Sequence, residues 1–183
     1  MNSPLSVAAN SRPVSTWLVP GDSFLSRLNA ADSEGAIATL LPCCASRRWA
    51  GEMADNRPYR DLHSLTTTST EIFERLAWDD VREALDAHPR IGERAAGPSQ
   101  EATWSRAEQA AAQGADDELK QANIDYEDRF GHVFLICATG LDAPTILAAA
   151  RRRLANNEDT ERVEVRAEMR KIVAIRLAKL GDR

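Results

Sequence analysis

Cysteine and histidine are scarce in this 183-residue sequence, and each scarcity excludes a class of protein. Three cysteines and three histidines are too scattered for a zinc or haem site, and adjacent Cys43 and Cys44 lack the Cys-x-x-Cys spacing of redox and zinc motifs. We do not expect a disulfide framework in a chain of this kind. No apolar run approaches the roughly 20 residues needed to span a bilayer. The sequence therefore predicts reduced, partly buried thiols, no metal, no membrane partner and a cytoplasmic location.

Basic residues are also in the minority, with 23 Lys and Arg against 28 Asp and Glu and a formal charge of −5. This acidic balance argues against a nucleic-acid partner, because phosphate binding relies on a basic face. Glycine-rich phosphate loops and dinucleotide fingerprints are missing as well. The stretch Met1–Ser15 has no basic segment followed by an apolar core, so we expect no secretory signal. Its Ser, Asn and Pro content predicts a disordered tail over residues 1–16, followed by one domain over 17–183.

Hydrophobic residues beyond this tail recur at helical spacing, and alternating strand patterns are absent. The pattern predicts an all-α, single-domain bundle of about eight to ten short helices. Ser33 is predicted to cap one helix, and Asp79 or Asp80 to open another. The run Thr66–Thr70 is weak for a helix, because β-branched residues lose rotamer freedom there. The one strand-like run, Val133–Cys137, is too isolated to imply a sheet.

His88 is the first polar residue that interrupts an apolar face. It lies seven residues after Val81 and four after Ala84, and Pro89 then ends the helix. A helix C-terminus favours a protonated imidazole, and an ordinary histidine pKa of about 6.5 permits proton transfer near neutrality. The alternative is a core or C-capping histidine hydrogen-bonded to backbone. His63 and His132 have no comparable setting and are interpreted as structural.

Arg176 is the sharpest anomaly, because it lies near the centre of an apolar stripe formed by Val165, Met169, Ile172, Val173 and Leu180. A buried guanidinium needs an anionic partner. That partner is either an internal Asp or Glu or an anionic ligand held in a bidentate fork. Asn123 interrupts another stripe, and we interpret it as a structural amide rather than a ligand group.

Ser105 and Glu108 match the Ser-x-x-Glu capping box that opens a helix. Glu108 either completes this cap or turns into a cleft as a hydrogen-bond partner, and spacing does not decide between these roles. Gln109 adds an amide that both donates and accepts. An enzyme built from these parts would perform acid–base chemistry on a small anion without a cofactor.

Several of these motifs, in this order, resemble the OHCU decarboxylase family, whose substrate is 2-oxo-4-hydroxy-4-carboxy-5-ureidoimidazoline and whose product is (S)-allantoin in urate oxidation. The resemblance covers roughly residues 24–180. It is carried by the segment from His88 to Gly92, by Ser105-x-x-Glu108-Gln109, by the residues from Asn123 to Phe134, and by a C-terminal pattern. The last of these comprises Arg153-Leu154-Ala155-Asn156, Glu161 and Ile172-x-x-x-Arg176-Leu177.

The resemblance implies roles for some of these positions. His88 would be the acid–base residue, assisted by Glu108, and Pro89 would line the site. Ser105 and Gln109 would hold the polar edge of the substrate together with Glu108, and Arg176 would bind the substrate anion. A further segment would offer backbone groups to the ligand: Phe134, Leu135, Ile136, Cys137 and Ala138. The resemblance further implies a cofactor-independent homodimer of short helices acting on a small anionic purine catabolite.

The sequence departs from the family in two places. The stretch between Glu108 and Asn123 is several residues shorter than usual, and His132-Val133 stands where a Phe-Pro pair is common. Both departures would reshape the wall of a pocket. Other functions compatible with the sequence are an inactive relative, a sensor that binds a purine catabolite without turnover, and a helical interaction module, which an exposed apolar face would favour.

Overall fold

The computed structural model describes residues 23–92, 103–104 and 117–182. Within these ranges the chain contains eight α-helices and no β-strand, which confirms the all-α, single-domain prediction. The helices are α1 (Phe24–Ala30), α2 (Ser33–Leu40), α3 (Arg47–Asp55), α4 (Leu62–Arg75), α5 (Trp78–Asp86), α6 (Asp117–Phe130), α7 (Ala143–Arg153) and α8 (Glu158–Gly181). No helix in the described ranges is long and apolar enough to cross a membrane. The predicted tail over residues 1–16 lies outside the described residues.

Two of the predicted helix starts are off by one or two residues. Ser33 is the first residue of α2 rather than its cap, because the carboxylate of Asp32 accepts the Gly35 N–H at 2.8 Å. Helix α5 begins at Trp78, ahead of both predicted aspartates. Asp80 instead reaches back and accepts the Ala77 N–H at 3.2 Å, which satisfies the start of the helix without a polar N-cap residue.

The threonine-rich run is helical despite its weak propensity, and lies within α4. Thr66 and Thr70 donate their hydroxyls to the carbonyls of Leu62 and Thr66, at 2.8 and 3.1 Å. The same helix buries Leu65, Ser69, Ile72 and Phe73. Burial of this apolar face outweighs the small intrinsic penalty of the β-branched residues.

Helix α4 packs against both α3 and the long C-terminal helix α8, while α6 and α7 form a separate pair. Buried side chains accordingly form two clusters. The larger cluster joins α1 to α5 with α8, and the smaller one is built on α6 and α7 with Ile91, Phe134 and Ala138. We call these the major core and the minor core. Their junction is the feature of the fold that positions the candidate site.

A buried polar contact in the major core gives a first prediction. The indole N–H of Trp49 donates to the hydroxyl of Ser69 at 3.1 Å, and both residues are buried. Replacing Ser69 with Ala should lower the free energy of unfolding by about 1–3 kcal/mol, because the buried N–H loses its acceptor. Urea denaturation followed by circular dichroism measures this loss. The matched control is Thr67→Ala on the exposed side of α4, and an equal effect of both variants would contradict the prediction.

Candidate functional site

An open pocket lies where the two cores meet, with an empty volume of about 390 Å³. The segment after α5 supplies one side of it and α8 supplies another. An irregular segment between α6 and α7 supplies the remaining wall. The lining residues are His88, Pro89, Ile91, Phe134, Leu135, Ile136, Cys137, Ala138, Thr139, Ile172 and Ile175. Seven of the residues predicted to form the site therefore line one cavity.

His88 follows the end of α5 directly and is 8% exposed. Its backbone N–H donates to Leu85, and its Nδ1 lies 2.8 Å from the carbonyl oxygen of Ala84. A carbonyl only accepts, so Nδ1 carries a proton and Nε2 is the nitrogen that gains or loses one. The backbone contact expected of a C-capping histidine is thus present. The same side chain also reaches the pocket wall.

The irregular wall segment, residues 133–138, alternates between the two cores. Val133, Leu135 and Cys137 pack on the major core, while Phe134, Ile136 and Ala138 pack on the minor core. This two-residue period is that of an extended chain. The segment is bounded by Gly131 and Gly140, whose φ angles of +69° and +81° favour glycine. We call it the wall segment.

Side chains from the two flanking helices bind the backbone of the wall segment. Arg153 at the end of α7 donates from Nη1 to the carbonyl oxygen of Leu135 at 2.7 Å. Glu168 in α8 accepts the N–H of Cys137 at 2.8 Å. An isolated extended segment has no partner strand, so its buried polar groups require such contacts. Two of the backbone groups predicted to face a ligand are therefore engaged within the protein.

Arg153 belongs to a buried charged cluster behind this wall. Its guanidinium binds the carboxylate of Glu161, with Nε at 2.8 Å from Oε1, and both side chains are 1% exposed. The hydroxyl of Tyr126 donates to the same carboxylate. Burial and this hydrogen bond raise the pKa of Tyr126 above its ordinary value. The Arg153 guanidinium also lies 4.8 Å from the centre of the Phe134 ring, which links the cluster to the pocket.

Arg176 is fully buried in α8, as its place in the apolar stripe predicts. Its Nη1 lies 3.5 Å from the carbonyl oxygen of Cys43. Ile172 and Ile175, on the same helix, line the pocket, whereas Arg176 is not among the lining residues. Arg176 therefore shares a helix with two pocket-lining residues, and its role in binding a ligand stays a prediction. The predicted Ser105, Glu108 and Gln109 lie outside the described residues.

Asn123 and His132 are buried beside the pocket rather than in it. The Asn123 side chain donates to the Ile91 carbonyl at 2.9 Å, and its Oδ1 has no hydrogen-bond partner within the described ranges. His132 packs between Trp78, Tyr126 and Phe130, and burial lowers the pKa of its imidazole. The unusual His132-Val133 pair does not line the pocket.

Sequence reasoning named Arg153 and Glu161 only as part of the family pattern, without a role, and did not single out Glu168. The first two carried the same signal as Arg176, because each continues a buried helical stripe: Arg153 follows Ile146 and Ala150, and Glu161 precedes Val165. Glu168 gave no signal, since it lies at the half-buried edge of its helix. All three cysteines are free, as predicted. No cluster of metal-ligating side chains occurs in the described part of the chain.

The fold and the pocket define an all-α domain with a pocket lined in part by a histidine. Comparison with known proteins identifies the family to which this all-α domain belongs. The profile of the OHCU decarboxylase family matches residues 29–178, so the chain belongs to that family. It is 32% identical over 146 residues to the uric acid degradation bifunctional protein TTL of Arabidopsis thaliana, covering 75% of this chain and 45% of that protein. The chain thus spans less than half of that relative.

Two further relatives match over most of their length. The 2-oxo-4-hydroxy-4-carboxy-5-ureidoimidazoline decarboxylase of Haloferax volcanii is 26% identical, with 84% of this chain and 94% of that protein covered. A crystal structure of OHCU decarboxylase in the presence of (S)-allantoin superimposes with a TM-score of 0.65 at 28% identity. That match covers 84% of this chain and all of the other.

Proposed function

We propose that this chain catalyses the decarboxylation of 2-oxo-4-hydroxy-4-carboxy-5-ureidoimidazoline to (S)-allantoin in urate degradation. Family membership supports the reaction, and the observation that carries it to this chain is the meeting of His88 and the wall segment in one pocket.

In the proposed mechanism His88 is the acid–base residue. The carbon–carbon bond to the carboxylate breaks, CO2 leaves, and the electron pair moves into the conjugated C=N of the ring, which leaves an enol between the hydroxyl-bearing carbon and the ureido-bearing carbon. A proton then adds to one face of the ureido-bearing carbon, and the hydroxyl loses its proton as its own carbon becomes the carbonyl of allantoin. Because the Nδ1 proton is donated to Ala84, delivery proceeds from Nε2 of the imidazolium. The C-terminus of α5 favours this positively charged form. Glu108 would hold the ring or ureido N–H groups and assist His88, with Ser105 and Gln109 on the same polar edge.

The test of this function generates the unstable substrate from urate with urate oxidase and hydroxyisourate hydrolase. Addition of the protein should accelerate decay of the intermediate and yield one enantiomer of allantoin. Decay at the spontaneous rate would exclude the decarboxylase. Tight binding of allantoin without acceleration would indicate a sensor instead.

Arg176 is proposed to bind the substrate anion. Replacing it with Met retains side-chain length, so the protein should stay folded while KM rises. Loss of a hydrogen bond to a charged group costs about 1.5–3 kcal/mol, which corresponds to roughly 10- to 150-fold in affinity. Steady-state kinetics and circular dichroism measure the two effects separately. A variant that unfolds would favour the alternative, in which Arg176 has an internal anionic partner.

The remaining features implied by the resemblance are also proposals. We expect a homodimer, which light scattering during gel filtration tests, and a cytoplasmic location, which the three free thiols favour. We expect turnover without a cofactor. Exhaustive dialysis against EDTA should then leave the rate unchanged, and a loss restored by metal would contradict this expectation.

A further inference from the structure

The wall segment of the pocket depends on side chains for its backbone contacts. In an extended chain the N–H and C=O of one residue point to the same side, and those of the next residue point to the opposite side. The Leu135 carbonyl, bound by Arg153, and the Cys137 N–H, bound by Glu168, therefore lie on one edge of the segment. Backbone groups of Ile136 lie on the other edge.

On the second edge the Ala138 carbonyl accepts the Leu141 N–H at 3.0 Å, whereas the backbone groups of Ile136 have no such contact. Neither the N–H nor the C=O of Ile136 forms a hydrogen bond within the described ranges, although Ile136 lines the pocket. Because Ile136 lines the pocket, a ligand there can bond to both groups. Rotation of the chain about its long axis would turn both edges together. The side chains that bind the first edge therefore also fix the direction in which the N–H and C=O of Ile136 point.

Glu168 has the geometry to fix that direction. Its side chain is 16% exposed, and its Oε2 accepts the Cys137 N–H at 2.8 Å. The other oxygen, Oε1, accepts from the ammonium of Lys171 at 2.6 Å, one turn along α8. A charged acceptor forms a stronger hydrogen bond to a backbone N–H than a neutral one does. The rigid helix α8 thereby anchors the Cys137 end of the wall, and buried Arg153 anchors the Leu135 end.

We propose that Glu168 is a positioning residue for this pocket: by binding the Cys137 N–H it sets the orientation in which the wall segment presents the backbone of Ile136 to the substrate. The proposal rests on the proposed decarboxylase function. Glu168 itself does not line the pocket. Its loss should lower kcat more than it raises KM, because a misoriented wall still admits the ligand but no longer aligns it opposite His88.

Three variants separate positioning from other roles of Glu168. Glu168→Ala removes the acceptor and should lower kcat by roughly 10- to 100-fold, the range that a misplacement of about 1 Å can cause. Glu168→Gln keeps an oxygen acceptor and should recover most of this loss. Lys171→Ala breaks only the exposed ion pair, since the Lys171 side chain is 61% exposed, and should behave as wild type. Denaturation midpoints of all three identify any general loss of stability.

Amide hydrogen exchange of the wall segment gives a readout that does not require turnover. Exchange at Cys137 should accelerate in Glu168→Ala but not in Lys171→Ala. If the wild-type protein turns over and Glu168→Ala matches it in kcat, the positioning role is wrong while the decarboxylase stands. If the wild-type protein does not accelerate the reaction, the proposed decarboxylase function is wrong. In that case amide exchange still tests the structural part of the proposal: unchanged exchange at Cys137 in Glu168→Ala would show that Glu168 does not anchor the wall segment.

Discussion

Replacing His88 with Asn is expected to lower kcat/KM by about 10²- to 10⁴-fold, the usual contribution of a positioned acid–base group. An asparagine amide can still donate to the Ala84 carbonyl, so the end of α5 should remain capped. The asparagine amide cannot give up or take a proton near neutrality, so proton delivery to the substrate is lost. Kinetics with enzymatically generated substrate measure the effect, and circular dichroism verifies the fold.

The matched control for His88 is His63→Asn, because His63 is exposed on α4, away from the pocket. This variant should turn over as the wild type does. His88→Ala extends the test, since it removes the capping contact together with the titrating nitrogen. Near-normal activity in both His88 variants would show that His88 only caps the helix, which is the alternative that its contact with Ala84 also permits.

The second large effect concerns stability and the buried charged cluster. Replacing Glu161 with Gln should lower the free energy of unfolding by about 3–5 kcal/mol, because the guanidinium of Arg153 remains buried and keeps only the more distant, partly exposed Glu164 carboxylate at 3.8 Å as counter-charge. The glutamine amide keeps one acceptor oxygen, but it carries no negative charge. Guanidinium chloride denaturation at neutral pH measures the difference.

A surface pair provides the comparison for Glu161. Glu118 binds Arg151 at 3.0 Å, and both side chains are more than half exposed. Glu118→Gln should cost at most about 1 kcal/mol, because solvent screens an exposed ion pair. Equal losses for Glu161→Gln and Glu118→Gln would show that the buried cluster contributes no more than a surface contact.

The sequence predicts the helices well where an apolar stripe is continuous, and less well at their first residues. Asp32 and Ser33 are both good N-caps and adjacent, so propensity alone does not select between them. The start of α5 before Asp79 depends on a back-reaching contact from Asp80. Such one-residue choices depend on local geometry that the hydrophobic pattern does not contain.

The sequence predicts burial and local backbone conformation around the pocket, but it does not predict contacts between distant elements. The helical stripe predicts the burial of Arg176, and the strand-like run Val133–Cys137 is correctly separated from any sheet. The partners of that run are Arg153 and Glu168, which lie 18 and 31 positions from the groups they bind. Their contacts follow from how α7 and α8 cross the wall segment, and periodicity within one helix carries no information on that crossing.

The alternation of the wall segment between two cores has a consequence for how this chain can change in length. Inserting or deleting one residue between Gly131 and Gly140 would exchange the sides of all following side chains, so that Phe134 and Leu135 would compete for each other's places. Homologous chains should therefore tolerate substitution within this stretch far better than gaps. Insertions and deletions should instead accumulate outside the two glycines. The stretch between Gly131 and Gly140 should therefore keep a constant length, and distant members of the family can be aligned on it without gaps.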